Sequence, residues 1–416
     1  MADCLTLQSR PGLPLPLADG SLRCLDLQGI LETFSASDQL FLLLEARRVL
    51  QPGGELRLAA GTAGASAIAR RIGLEPSQHD AGTPRPGARE LVLRKPDRRL
   101  TGTPLVSLLI PAYSPTFFEA SLASAIAQTH ANLEIIVCDD SSGDDIERIA
   151  RRLARERPLG YFRNAVRLHG RGNYARCFGL ASGEFIKFLN DDDVLAPHCV
   201  ARLLEAFRKA PDTSLATSYR QRIDPAGRPL PDQPATRPLA GSDMLVSGAS
   251  MANAMLMAGL NVIGEPTTTL FRKDQLLEAI PGDFDFVSDD SFGIMDMVMW
   301  LPLLLKGDTA YLREGLSQFR QHASQQQRDA AVVARRGDSI RKLQARWLAL
   351  GLHQRFARDA LVTKPLDSPD GPWQTHPFAA FEAPPRLPQE LLRYSVQIDT
   401  GARPGGFPRA FGPRDS

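Results

Sequence analysis

The chain has 416 residues, 43% of them hydrophobic, which is enough for two or three domains with substantial cores. Lys and Arg (49) almost balance Asp and Glu (47), so nothing in the charge asks for nucleic acid or an anionic surface as a general partner. The five cysteines are scattered without a CxxC pair, which argues against a disulfide framework or a zinc site and for a reducing cytoplasm.

The N-terminus carries Asp3 and lacks a long apolar core, so no signal peptide is expected, and no apolar run is long enough to span a bilayer. Leu15–Ser21 is rich in turn residues and leads to a strand around Leu22–Leu27. A helix is predicted over Ser37–Val49, with Ser37 as N-cap, Leu40, Leu43 and Leu44 at helical spacing, and Pro52-Gly53-Gly54 as the stop. Strand Glu55–Ala60, helix Ala65–Ile72 and strand Glu90–Arg94 complete the unit. The runs Leu15–Leu22 and Leu44–Leu58 resemble the C-terminal half of a class I S-adenosylmethionine-dependent methyltransferase. That family holds its cofactor on a glycine-rich turn after its first strand, and this half of the fold has no counterpart here. The resemblance therefore implies a truncated, non-catalytic unit over residues 1–97 that packs or binds a partner. Lys95–Thr103 is polar and proline-containing and reads as a linker, with 98–103 between the units.

From 104 to 325 short apolar strands alternate with helices. Strand Leu105–Ile110 ends at Pro111-Ala112-Tyr113, and Leu133–Cys138 ends at Asp139-Asp140-Ser141-Ser142. Phe185–Leu189 ends at Asp191, Asp192 and Asp193, after which Pro197 should open a helix. Helices Thr116–Ala127, Asp144–Arg155 and Asn173–Ala181 lie between, with a short strand at Tyr161–Arg163. Such alternation means a parallel sheet with ligands at the carboxyl ends of its strands. Three adjacent carboxylates at one such end suit a hard divalent ion, Mg²⁺ or Mn²⁺, or sugar hydroxyls. The plainer alternative is a solvated acidic turn that caps a helix.

Val106–Tyr113, Ser121–Thr129 and Glu134–Ser142, followed by Ala175-Arg176, Gly179 and Ala181–Glu184, resemble glycosyltransferase family 2. The resemblance implies an α/β fold of the GT-A type over 104–325, Rossmann-like with a mostly parallel sheet. It implies an inverting sugar transfer from a nucleotide-diphosphate sugar, a UDP-sugar being expected, to a glycan, lipid-linked or protein acceptor. Residue by residue, it puts Pro111, Ala112 and Tyr113 in the nucleotide pocket, Asp140 on the pyrimidine and Arg176 near base or phosphate. Asp192 becomes the first metal ligand for Mn²⁺ or Mg²⁺, Asp191 meets ribose or sugar hydroxyls, and Asp193 is either a second ligand or a cap. Asn190 stands where many members carry Asp, which leaves the ligand count open.

The general base should come from the second half of this unit. Asn261–Arg272 resembles the family's acceptor-side segment and puts Glu265 there. The family's Glu-Asp-x-Asp run falls on Ile294–Leu301, with the base on Asp296, although Met295 and Pro302 replace flanking Glu and Arg. Asp289 and Asp290 are the rivals. An Asp in an otherwise apolar helix has a raised pKa, which suits a base; its alternative role is a first-turn acid favouring the helix dipole. Phe319-Arg320-Gln321-His322 resembles the family's closing Tyr-Arg-x-His, so His322 is expected at metal or diphosphate and Arg320 at phosphate on the acceptor side. The Met-rich stretches Met244–Met257 and Met295–Met299 read as core filler or as an adaptable acceptor wall.

Ala330–Phe356 is a helical run within an extension over 326–362, and 363–416 is a Pro/Gly-rich tail expected to be extended. The reading is a metal-dependent cytoplasmic glycosyltransferase, free or peripheral at the inner face of the membrane. A methyltransferase and a non-catalytic scaffold that keeps the GT-A fold are the alternatives.

Overall fold

The computed structural model describes residues 4–6, 15, 17–59, 68–69, 71–77, 90–277, 293–323, 325, 330–356 and 360–377. Near the N-terminus, strands β1 (Leu5–Thr6), β2 (Leu22–Asp26), β3 (Leu50–Ala59), β4 (Glu75–Pro76) and β5 (Glu90–Arg94) form a sheet ordered β1-β2-β3-β5-β4. Helix α1 (Ala36–Val49) is capped by Ser35, not Ser37: the Ser35 hydroxyl accepts from Asp38 N at 3.2 Å. The chain enters β3 directly at Leu50, so Pro52-Gly53-Gly54 lies inside a strand rather than in a turn. Half of the expected helix 65–72 falls outside the described residues.

The second sheet contains β6 (Val106–Ala112), β7 (Leu133–Asp139), β8 (Gly160–Arg163), β9 (Phe185–Phe188), β10 (Val194–Leu195), β11 (Thr213–Ile223), β12 (Met244–Val246), β13 (Leu270–Arg272), β14 (Asp308–Arg320), β15 (Ala360–Pro365) and β16 (Gln374–Pro377). Its order is β16-β15-β12-β14-β11-β13-β9-β6-β7-β8, with β10 beside β14. Strands β6 to β9, β11, β14 and β15 run one way; β10, β12, β13 and β16 run the other. This is the mostly parallel α/β architecture expected. Alternate residues of one strand feed opposite faces: Val106, Leu108 and Ile110 enter one core and Leu109 the other, as the pleat requires.

Helices α2 (Pro115–Ile126), α3 (Asp145–Leu153), α4 (His169–Leu180) and α5 (Cys199–Lys209) accompany the first strands. Helix α5 opens at Cys199 and not at Pro197, because Val194–Leu195 pairs with β14 first. Helices α6 (Gly248–Ala258), α7 (Lys273–Leu277), α8 (Met295–Lys306) and α9 (Ala330–Ala349) complete the set. Met251, Met255, Met297 and Met299 are buried, so these methionines fill the core.

Three expectations need correction. Lys95 is not in a free linker. It is buried, donates to Leu50 O at 2.8 Å and pairs with Asp212 at 2.6 Å, while Arg98 bridges Glu75 (3.2 Å) and Asp274 (2.8 Å). One apolar cluster runs from Leu25, Phe41 and Leu56 to Met255, Trp300 and Trp347, so the N-terminal sheet is part of the main core. β15 straddles the boundary between the expected helical extension and the tail, and β16 lies in the tail: Ala360–Val362 are buried and pair with β16, while Thr363–Pro365 pair with β12. Residues from 378 onward lie outside the described set. Finally, Cys4 and Cys24 form a disulfide, which parallel pairing of β1 with β2 brings into reach; Cys138, Cys177 and Cys199 are free and buried. That bond runs against the argument for a reducing compartment.

Candidate active site

The carboxyl ends of β6, β7 and β9 carry the polar clusters to one edge. Pro111 and Ala112 are the last residues of β6, and Ala112 O accepts from Asp140 N at 2.9 Å. Tyr113 follows, 51% exposed, with the Arg167 guanidinium 4.4 Å from its ring centroid. Asp191 Oδ2 accepts from Tyr113 N and Ser114 N, both at 2.7 Å, which ties β6 to the acidic turn. Burial, reinforced by the charge of Asp192, pushes Asp191 up to about 6.

Asp192 Oδ2 accepts from His322 Nε2 at 2.9 Å and from Gln325 Nε2 at 3.2 Å. The His322 ring also lies 5.0 Å from Phe117. Asp193 differs from its neighbours. It is fully buried, accepts from Thr267 Oγ1 at 2.7 Å, Asn190 Nδ2 at 3.1 Å and Arg320 N at 3.0 Å, and its pKa is pushed well up by burial. Three donors from three different segments thus converge on Asp193. Arg320 is also spent internally. It is buried, donates to the carbonyls of Asp192 (2.8 Å), Asp224 (3.2 Å) and Pro225 (3.0 Å), and covers Phe117, so it braces the turn rather than reaching for phosphate.

Asp140 likewise holds protein. Oδ1 accepts from Leu168 N (2.8 Å) and Asn164 Nδ2 (2.6 Å), and Oδ2 from His169 N (2.8 Å). The loop it gathers ends at His169, whose φ of 57° is unusual for a residue other than glycine. Arg176 reaches the same loop, donating to Asn164 Oδ1 at 2.6 Å.

On the other side, Glu265 pairs with Arg220 at 2.9 Å, and burial raises its pKa while Asp296 and Asp192 push the same way. Asp296, in the first turn of α8, accepts from Met297 N at 2.8 Å and Asn261 Nδ2 at 2.6 Å; burial raises its pKa too. Tyr174 donates its hydroxyl to Asn190 Oδ1, and burial, with the charges of Asp193, Asp192, Asp191 and Asp296 adding to it, raises its pKa. Asp289 and Asp290 lie outside the described residues. Among the described residues no group of three or more His, Cys, Asp or Glu side chains is placed to hold a metal.

The family model for glycosyl transferase family 2 matches residues 107–273. This segment belongs to glycosyl transferase family 2. Over 263 residues the chain is 29% identical to an uncharacterized protein, MT1568, of Mycobacterium tuberculosis, covering 59% of this chain and 76% of that one. It is 36% identical over 132 residues to the chondroitin synthase of Escherichia coli, covering 31% of this chain and 19% of that one. It is 33% identical over 105 residues to a GalNAc(5)-diNAcBac-PP-undecaprenol beta-1,3-glucosyltransferase of Campylobacter jejuni, covering 24% and 34%. The chain thus spans well under half the length of these last two relatives. The family 2 segment contains the three strand ends and Glu265; Asp296 and His322 lie beyond it and are brought in by α8 and the end of β14.

Sequence reasoning missed Asn164, Tyr174, Asn261, Thr267 and Gln325. Each acts through a side-chain hydrogen bond to a residue far along the chain or across a loop, and neither composition nor periodicity marks such a bond.

Proposed function

We propose that this family 2 glycosyltransferase inverts the anomeric centre as it moves a sugar from a nucleoside-diphosphate sugar, first of all a UDP-sugar, to a hydroxyl of a glycan, lipid-linked or protein acceptor. The observation that carries the reading is the pairing of Asp192 with His322 at 2.9 Å beside the strand ends that bear Tyr113 and Asp140. Asp192 and His322 would hold Mn²⁺ or Mg²⁺. The Asp192 carboxylate is the oxygen donor such a hard ion prefers, and the His322 imidazole beside it would be the further ligand. Bound there, the ion offsets charge growing on the diphosphate leaving group.

The chain's own residues do the rest. Tyr113 offers a ring face to the base, and Asp191 a carboxylate to ribose or sugar hydroxyls. Asp296 takes the proton of the acceptor hydroxyl as that oxygen bonds the anomeric carbon. The bond to the diphosphate breaks on the opposite face. Burial raises the Asp296 pKa toward the working range of a base. Glu265, held by Arg220, stands on the acceptor side. The names of the E. coli and C. jejuni relatives, which point to chondroitin and to an undecaprenol-linked glycan, support a glycan acceptor, lipid-linked in the second case. No helix among the described residues is long and apolar enough to cross a membrane.

Calorimetric titration with UDP, GDP, dTDP and CDP, each with and without Mn²⁺, tests it. Manganese-dependent binding of one nucleotide is expected. Silence with all four overturns the reading in favour of a scaffold.

A further inference from the structure

Asn261 is the point where the acceptor-side turn meets α8. Its Nδ2 donates to Asp296 Oδ2 at 2.6 Å and to Gly264 O at 2.8 Å, and its Oδ1 accepts from Gly264 N at 3.0 Å. A primary amide has two N–H groups and one carbonyl, and all are used. The Gly264 N–H can only donate, so it fixes which end of the amide is oxygen, and the NH₂ must face Asp296. The turn that holds the amide is itself tightly constrained. Gly264 has φ +112°, and a Cβ there would fall 2.5 Å from Thr268 Oγ1. Trp300, one turn along α8 from Asp296, donates Nε1 to Gly264 O at 3.0 Å. The turn and the helix are therefore clamped at two points, and one of them is the carboxylate itself.

We propose that Asn261 is the positioning residue of the reaction, fixing the Asp296 carboxylate toward the acceptor hydroxyl through its Nδ2–H. The inference rests on Asp296 being the base. With Met297 N holding the other oxygen, the two donors set the rotamer of a short side chain and leave lone pairs on both oxygens for the incoming proton. An amide is a neutral donor, so it orients the carboxylate without the full neutralisation that a lysine or arginine contact would bring.

Other groups face Asp296: Arg220 from β11, Arg336 from α9, Glu265 from the turn and Tyr174 from α4. Burial raises Asp296; the Met297 N–H, the Asn261 amide and then the two arginines pull it down. These arginines remain in Asn261 variants, so a change on substitution reports the amide. Loss of a hydrogen bond to the charged form favours the protonated form, so the Asp296 titration moves to higher pH.

The experiment is a ¹³C carboxyl titration of the full chain, with Asp296 assigned from the Asp296→Asn spectrum, in wild type, Asn261→Ala and Asn261→Asp. UDP release from UDP-glucose and UDP-N-acetylglucosamine is followed over the same pH range, and the thermal midpoint of each variant is recorded. The expected result is an Asp296 midpoint about one to two pH units higher in Asn261→Ala. It should be higher again in Asn261→Asp, where a carboxylate faces a carboxylate, and the acid limb of turnover should move with it. An unmoved titration in both variants overturns the proposal, as does a lowered thermal midpoint with no shift, which would make Asn261 a loop-building residue only. Undiminished turnover in Asp296→Asn sinks the base reading instead, and it is recognisable because the Asn261-dependent shift would persist.

Discussion

Asp192 and His322 are 130 residues apart in sequence, yet Oδ2 of one lies 2.9 Å from Nε2 of the other. The pairing of β10 with β14 brings them together: Val194 faces Gln318 in register, so the acidic turn just before β10 meets the residues just after β14. Arg320 fastens the junction through its backbone N–H to Asp193 and its side chain to Asp192 O.

If this junction holds the ion, Asp192→Ala abolishes manganese-dependent nucleotide binding, and His322→Ala weakens it at least about ten-fold. Calorimetry with and without Mn²⁺ reads both. Manganese dependence that survives Asp192→Ala would put the ion elsewhere.

Asp296→Asn keeps the shape of the side chain and removes its basicity. Nucleotide binding should be unchanged while kcat falls about 10²- to 10⁴-fold, the range that general base catalysis supplies. Wild-type turnover in this variant would move the base, with Asp290 the next to test.

The ion pair between Lys95 and Asp212 lies where the N-terminal sheet meets the second one, with the Lys95 side chain almost wholly buried. Lys95→Ala leaves Asp212, whose side chain is 35% exposed, without its closest partner and should cost about 1–3 kcal/mol. Lys95→Met combined with Asp212→Leu should recover much of that loss, because the charges leave together. Thermal midpoints of the two variants decide it; equal losses would mean that shape and not charge holds the junction.

Asp308 opens β14 near the same junction, and burial pushes its pKa up to about 6, with nearby Lys364 and Arg47 opposing. A carboxyl raised above its unfolded value near 4 binds protons more tightly when folded. Its contribution is therefore complete below about pH 4 and is lost as pH rises through about 6. Asp308→Asn should flatten the slope of thermal stability between those values. Asp212, lowered by Lys95 and Arg47 against the penalty of burial, acts in the opposite sense and only below about pH 4, so the windows separate. An unchanged slope in Asp308→Asn would overturn this assignment.

The central strands were legible because β6, β7 and β9 are apolar on both faces and stop abruptly at polar clusters. Those stops are also why Tyr113, Asp140 and Asp192 could be singled out. Other features needed the third dimension. Asp191, Asp192 and Asp193 are identical letters, and only their surroundings separate a bond to backbone N–H groups, an exchangeable contact with His322 and a sealed brace. Arg320 reads as a phosphate ligand until its carbonyl partners are seen. Ala360–Pro365 has a lysine and a proline in six residues and reads as the end of a helical extension running into a tail; it is a strand because β12 offers an edge. Cys4 and Cys24 gave no spacing signal, since their proximity follows from parallel pairing of two distant strands.

Asp19 accepts from Lys364 Nζ at 2.9 Å and from Trp373 Nε1 at 2.7 Å. Asp19 is thus anchored by residues 345 and 354 positions further along the chain. The N-terminal sheet buries its apolar side against α1 and also against helices made some two hundred residues later, and Asp19 waits longer still for both partners. Until those helices are made, part of the sheet's apolar side has no cover, and surface of that kind is what chaperones guard.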